Sequence, residues 1–372
     1  MMKRFGITNR RNVNRVKATL NCLWSEKEFR FRVEKLVQNH PSLRSEFRVT
    51  TEGTFWQVIY RQMEVPAYFK DVSGLSGEAA GRFVNGFWQV LEENDTPFAA
   101  ACFVLPGRQS ILLIRLDHTV ADGVSVNVIQ NELTAEDANR LRPDEYILHR
   151  KRSLASAGSV PDEVRNYYRN VDLSLLPSWS TGNSAQPKSA LTFAFTAEET
   201  GRMSEFCARE GFTLHTLMQL VYGKTLMDLR GTQEIWLIHV DHGRHSEWGD
   251  ELRIIGNLMT GIPVRIDRNT SGQELQKILL EIRQFAGLSD SSVLKDAFFR
   301  KCAEGIISQD FDPLNPLISE SVMLDPDDVA GNAMRMTDGA LEVLVREPYV
   351  CGSPETASRF RELFLTRLGA VS

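Results

Sequence analysis

The sequence predicts an α/β protein built as two similar lobes. Three observations point there. The chain of 372 residues exceeds what one hydrophobic core ordinarily organises. Strand-period and helix-period apolar patterns alternate in both halves. Between the halves, residues 151–190 carry Ser-Ala-Gly-Ser, Ser-Thr-Gly-Asn-Ser, Pro177 and Pro187, the composition of a linker or surface crossover. The expected partition is a first lobe over residues 1–165, a crossover over 166–190 and a second lobe over 191–372.

In the first half, residues 14–23 read as a strand with Val16, Ala18 and Leu20 on one face. Ser25 and Glu28 have capping-box spacing, opening a helix to Asn39 with Phe29, Val33, Leu36 and Val37 as its apolar stripe. Residues 55–60 read as a strand after a turn at Gly53, and residues 81–91 as a helix. Residues 111–116 are almost wholly apolar, as in a buried central strand, and a helix follows over 124–133. The second half repeats the pattern. Residues 190–195 form a strand, and Thr196 with Glu199 caps a helix that Gly211 ends. Residues 213–229 form a long helix whose stripe Leu214, Leu217, Met218, Val221 is core. Strands follow at 235–240 and 341–345, and Ser353-Pro354 opens a terminal helix.

Composition excludes several classes. Hydrophobic content of 42% and charged content of 24% suit a globular chain rather than a disordered one. A net charge of −5 argues against nucleic-acid binding. The basic run Lys3, Arg4, Arg10, Arg11, Arg15, Lys17 lacks an amphipathic face and reads as a solvated segment. No apolar run is long enough to span a bilayer, and no signal-peptide core is visible. The five cysteines (Cys22, Cys102, Cys207, Cys302, Cys351) are isolated, with no CxxC pair, so neither a zinc site nor a disulfide framework is indicated. Reduced thiols in a cytoplasmic protein are expected. His239, Asp241, His242 and His245 cluster, but their spacing follows no established ligand pattern, so no metal is expected.

The run His118-Thr-Val-Ala-Asp122-Gly123 carries the chemistry. A histidine just past a buried strand, before a glycine and a helix, sits where open α/β sheets present functional groups. Its imidazole titrates near neutrality and can take a proton from an amine or hydroxyl. Gly123 allows close backbone approach, and its N–H can meet an oxyanion. Alone, this histidine reads equally well as a satisfied core residue.

Further segments carry a resemblance. His40-Pro-Ser-Leu43-Arg44-Ser-Glu-Phe47 resembles HPxLRxxF, Leu116-Asp-His118-Thr-Val-Ala-Asp122-Gly-Val-Ser125 resembles HHxxxDGxS, and Ile254-Ile-Gly256-Asn-Leu-Met-Thr260-Gly-Ile-Pro263-Val-Arg265 resembles IGxFVNTLPLR. Residues 313–324 are similar to a late NPLFxVMF-type segment, and Asp95-Thr-Pro97-Phe98 and Gly243-Arg244 fall at the usual places. In this order over most of the chain, these motifs resemble the condensation domains of nonribosomal peptide synthetases. The resemblance implies two chloramphenicol-acetyltransferase-like lobes in a V-shaped pseudo-dimer. It implies a central tunnel reached by substrates on phosphopantetheine or coenzyme A, with no bound cofactor. It implies His118 as base, and Asp122 as a structural group paired with an arginine, for which Arg265 is the first choice and Arg44 the second. Ser125, Gly256 and Thr260 would lie along the tunnel. A buried unpaired aspartate would be costly, which agrees with such a pairing.

Departures accompany it. The first motif histidine is Asp117 here. Strand alternation places it on the Arg115 face, where the two could pair and Asp117 would be structural. Asp117, Asp122 and Ser125 also match the DxxxxDxxS signature of heterocyclization domains, which lack the central histidine. Thr260 replaces a family asparagine, and the HNxxPF match near residues 290–299 is unclear. The expected function is acyl transfer from a carrier-protein thioester to an amine by a stand-alone monomer, without nucleic acid or membrane. O-acylation of an alcohol, heterocyclization and a non-catalytic recruitment module are the alternatives.

Overall fold

In the computed structural model, the residues described are 13–49, 55–107, 109–136, 143–156, 162–169, 171, 190–244, 251–283, 301–308, 318–324 and 332–369. The Gly53 turn, Pro177, Pro187, His245 and residues 290–299 and 313–317 lie outside them.

The first lobe is a mixed sheet sandwiched by helices. Its strands are β1 (Val13–Leu20), β4 (Ala67–Asp71), β5 (Phe98–Val104) and β6 (Ser110–Asp117). They pair in the order β1-β6-β5-β4, and only β4–β5 among these pairs runs parallel. The alternation in β5 and β6 serves both faces. Ala100, Cys102, Leu112 and Ile114 pack under α1 (Glu26–Asn39) and α3 (Gly123–Leu133). Ala99, Ala101, Phe103 and Leu113 pack under α2 (Gly77–Glu92). Burial on both faces explains the nearly unbroken apolar run of β6. Ser25 caps α1 as its spacing predicts, accepting from the Glu28 N–H at 3.2 Å. A short hairpin, β2 (Ser45–Val49) with β3 (Phe55–Ile59), stands apart from this sheet.

Two helices follow, α4 (Tyr146–Ser156) and α5 (Asp162–Arg169). The second lobe then holds β7 (Leu191–Phe195), α6 (Ala197–Glu210), α7 (Leu214–Arg230), β8 (Glu234–Asp241), β9 (Thr260–Asp267) and α8 (Gly272–Arg283). Short β10 (Ala303–Glu304) and β11 (Ile306–Ser308) precede β12 (Ile318–Leu324), β13 (Asn332–Thr337), β14 (Ala340–Val345), α9 (Pro348–Cys351) and α10 (Pro354–Gly369). Its strands split into β10-β8-β9 and β11-β13-β14-β7. One core joins them, built from α7 (Leu217, Val221, Tyr222, Leu226), β8 and β9 (Ile235, Leu237, Val264, Ile266) and α10 (Phe360, Phe364). Thr196 and Glu199 form the predicted capping box, and Gly211 ends α6 at φ +80°.

Two segments depart from the partition expected at 1–165 and 191–372. β12 leaves the second half and pairs antiparallel with β1, so the first lobe's sheet reads β12-β1-β6-β5-β4. This covers an edge that β1 would otherwise expose. In the other direction, α5 packs on β8 and β9, with Tyr168 against Trp236 and its hydroxyl donating to the Pro263 carbonyl at 2.9 Å. Half of α5 falls on the first-lobe side of the expected boundary at 165. Contacts between distant segments, Arg15 with Leu324 in one case and Tyr168 with Trp236 and Pro263 in the other, leave no mark in local periodicity, which is why neither departure is visible in the sequence. Among the described residues no helix is long and apolar enough to cross a membrane.

Candidate active site

β6 delivers the site. At its end the Val120 N–H donates to the Asp117 carbonyl at 3.0 Å, closing a turn with His118 at its second position. The Asp117 carboxylate stabilises that turn by accepting from the Thr119 N–H at 2.9 Å and hydroxyl at 2.7 Å, an Asx-type arrangement. The Asp117 carboxylate is thus turned to Thr119. Arg115 instead donates to the Thr96 carbonyl, so the expected Arg115–Asp117 pairing is corrected to these local bonds.

Asp122 is the N-cap of α3 and forms a capping box with Ser125: its carboxylate accepts from the Ser125 N–H at 3.0 Å. It also binds Arg244 in a fork, Nη1 to Oδ2 at 2.7 Å and Nη2 to Oδ1 at 2.9 Å, with both side chains fully buried. Leu258 N–H supplies a further bond to Oδ2 at 3.0 Å. The Arg244 fork reaches the carbonyls of His242, Ile254 and Gly256 as well. A buried ion pair is tolerated where the charges are hydrogen-bonded as extensively as here, through both Asp122 oxygens and both Arg244 Nη groups.

The arginine is thus Arg244, and both expected partners are corrected. Arg265 lies on the outward face of β9, about half exposed, and pairs with Glu234 at 2.7 Å. Arg44 turns back to the Val37 carbonyl at 3.3 Å. Arg244 reaches Asp122 because of the turn after β8. Gly243 adopts φ +66°, and a Cβ there would stand 2.1 Å from the Leu258 carbonyl oxygen, so glycine is required. Asp241 accepts from the Gly243 N–H at 2.7 Å, and His242 Nδ1 accepts from the Arg244 N–H at 3.0 Å. Asp241 and His242 of the His/Asp cluster therefore shape this turn. His239 packs 5.4 Å from the His215 ring, and burial with that neighbouring ring depresses its pKa to about 3. Among the described residues no group of three or more ligand side chains comes together. The sequence signal for Arg244 was the glycine directly before it, past a strand end.

The expected tunnel residues also move. Ser125 is fully buried; its hydroxyl donates to Asp122 at 2.8 Å and accepts from the Gly256 N–H at 3.0 Å. Gly256 is buried too, and a Cβ there would stand 2.6 Å from the Tyr146 ring. Both belong to the network that seats segment 254–258 against α3, not to an open wall. Thr260 is buried at the start of β9, opposite Asp241.

A second buried network, missed by the sequence reading, ties the HPxLR segment to the same loop. His40 is fully buried, 2.7 Å from Asp144 through Nδ1 and 2.6 Å from Glu132 through Nε2. Burial alone would lower its pKa, but the hydrogen bonds and charges of Asp144 and Glu132 outweigh this and raise it. Asp144 also takes the Ile255 N–H at 3.1 Å, and the Ser42 hydroxyl donates to the Ile255 carbonyl at 2.6 Å.

His118 sits at the meeting of the lobes, where Asn257 Nδ2 donates to its carbonyl at 2.8 Å. Its Nδ1 is buried without a hydrogen-bond partner among the described residues, which leaves Nε2 as the nitrogen available to a substrate. Gly123 is the first residue of α3, where the helical pattern leaves the main-chain N–H free and the helix dipole favours negative charge. The arrangement offers a base and an anion-stabilising donor, braced from below by the Asp122–Arg244 pair.

This two-lobed fold is that of the chloramphenicol-acetyltransferase-like proteins. It superposes on the epimerization domain from the third module of tyrocidine synthetase B with a TM-score of 0.73, 17% identity, and 98% of this chain and 93% of that one covered. The first condensation domain of the calcium-dependent antibiotic synthetase, in complex with a substrate analogue, gives a TM-score of 0.68 at 13% identity, covering 98% and 94%. Residues 24–140 match the Condensation domain family. Nonribosomal peptide synthetase dtxS1 of Metarhizium robertsii is 22% identical over 285 residues, which are 73% of this chain but 3% of that protein. Residues 24–140 thus carry the match to the Condensation domain, and the chain is similar in sequence to nonribosomal peptide synthetases and in fold to condensation and epimerization domains.

Proposed function

We propose that this chain forms an amide by moving an acyl group from a carrier-held phosphopantetheine thioester to an amine. The observation that carries this reading is His118 at the lobe junction, on a turn braced by the fully buried Asp122–Arg244 pair. As the amine attacks the thioester carbonyl, the new C–N bond forms and His118 Nε2 takes the amine's proton. The Gly123 N–H at the start of α3 meets the oxyanion. The intermediate collapses, the C–S bond breaks, and the thiol leaves with the proton returned by His118. Holding both substrates between the lobes supplies a further part of the rate. The partners on this reading are acyl or peptidyl carrier proteins and a small amine, within natural-product biosynthesis. Coenzyme A presents the same phosphopantetheine arm.

Acyl-pantetheine thioesters, offered with matched amino and hydroxy acceptors and followed by mass spectrometry, test this. Amide product with the wild type, formed at least about 10²-fold more slowly by His118→Ala, is expected. Ester alone would move the reading to O-acylation, a dehydrated ring to heterocyclization, and an inverted α-carbon without transfer to epimerization. Absence of any turnover across the panel would favour a recruitment module.

A further inference from the structure

Among the polar atoms at the lobe junction that are buried and take no hydrogen bond among the described residues are Arg244 Nε, His118 Nδ1 and Asn257 Oδ1, and the last two concern the base. These two lie on residues already in contact, since Asn257 Nδ2 donates to the His118 carbonyl at 2.8 Å. Their chemistry is complementary. An amide oxygen only accepts. A neutral imidazole that offers a lone pair on Nε2 carries its proton on Nδ1 and so donates from there. Leaving such atoms unsatisfied is costly, so an arrangement that pairs them is favoured.

The nearby acids are otherwise engaged. Both Asp122 oxygens are held by Arg244, with Ser125 and Leu258 adding bonds. Asp117 is turned to Thr119. We infer that Asn257 is the residue that orients His118. Its amide holds the main chain of His118 through Nδ2. In the reacting complex Oδ1 accepts from the Nδ1–H of the same residue, fixing the tautomer that leaves Nε2 basic. Such bonds are often long in the unliganded enzyme and tighten when substrate is bound. Asn257 acts through His118 and is a positioning residue; the inference rests on the reading of His118 as the base. In the segment resembling IGxFVNTLPLR, Asn257 occupies the unspecified position, so the resemblance carries no expectation for it.

The test is NMR of the full chain with ¹⁵N-labelled histidine, the His118 signals being assigned by their loss in His118→Gln. At a pH where the ring is neutral, wild-type His118 is expected as the Nδ1–H tautomer. In Asn257→Leu the tautomers should mix. Asn257→Asp, which keeps the shape, should raise the His118 titration midpoint by about 1 unit or more, because a carboxylate favours the charged ring. With acyl-pantetheine and an amine, Asn257→Leu should lower kcat by at least about 10-fold with KM unchanged. A wild-type ring protonated on Nε2, or tautomer and midpoint unchanged in both variants, would overturn the inference. If the wild type turns over no probe yet the tautomer shifts as described, the inference stands and the proposed function fails.

Discussion

Replacing Arg244 by alanine should be among the most destabilising single changes available in this protein. The substitution removes two charge-assisted bonds to a fully buried carboxylate, at 2.7 and 2.9 Å. At about 1.5–3 kcal/mol each they sum to about 3–6 kcal/mol, in line with the ~3–5 kcal/mol measured when one partner of a buried pair is removed. Ser125 and Leu258 would still donate to Asp122, which places the expected loss nearer the lower figure. Unfolded as one cooperative unit of 372 residues, at about 2.1 cal/mol/K of unfolding entropy per residue, a loss of about 3 kcal/mol corresponds to a melting temperature lower by about 4 °C. The assay is chemical denaturation of wild type, Arg244→Ala, and the double variant Asp122→Leu with Arg244→Met. The double variant should recover much of the loss, since an apolar pair of similar volume avoids the stranded charge. Arg265→Ala, which breaks a half-exposed pair with Glu234, should cost no more than about 1 kcal/mol. An Arg244→Ala protein within about 1 kcal/mol of wild type would refute the argument, because that is the worth of a surface pair.

Three other outcomes follow from the same geometry. His40 has a raised pKa in the fold, so its contribution is complete below the ordinary histidine value near 6.5 and is lost as pH rises through its higher folded value; denaturation from pH 6 to 9 should show that decline, and His40→Gln should flatten it. Gly243→Ala, with positive φ and a backbone oxygen 2.1 Å from the new Cβ, should fail to give soluble folded protein, whereas Gly107→Ala, also at positive φ but with nothing within 4 Å, should cost only about 1 kcal/mol; comparable soluble yields and melting curves would contradict this. Burial pushes the Cys102 thiol up to about 12 and raises that of Cys302, so iodoacetamide at pH 8 should label half-buried Cys22 and Cys351 before either, as peptide mass mapping would show.

Much of the fold was legible because local rules governed it. The caps at Ser25 and Thr196, the stop at Gly211 and the apolar run of β6 all obey nearest-neighbour physics. The site was legible in part. His118 and Asp122 stand in one motif, and the turn between them is built locally. The partner of Asp122 was not, because the choice among arginines depends on how loop 241–244 meets α3 across the lobe junction. Arg265 was favoured by its place in a motif, yet strand alternation turns it outward. Ser125 and Gly256 were read as substrate contacts, but their polar groups serve each other and the ion pair. The His40 network links residues some 100 positions apart, beyond the reach of any periodicity. Reaction class lies further still from the sequence, since closely similar folds serve condensation and epimerization domains.

The central claim is that His118 is the proton acceptor in acyl transfer, and the turnover of His118→Ala tests it most directly. With an acyl-pantetheine donor and an amine that the wild type uses, and with matched melting curves, kcat should fall by about 10²- to 10⁴-fold, the usual worth of positioned proton transfer. Equal turnover by the two proteins would contradict the claim.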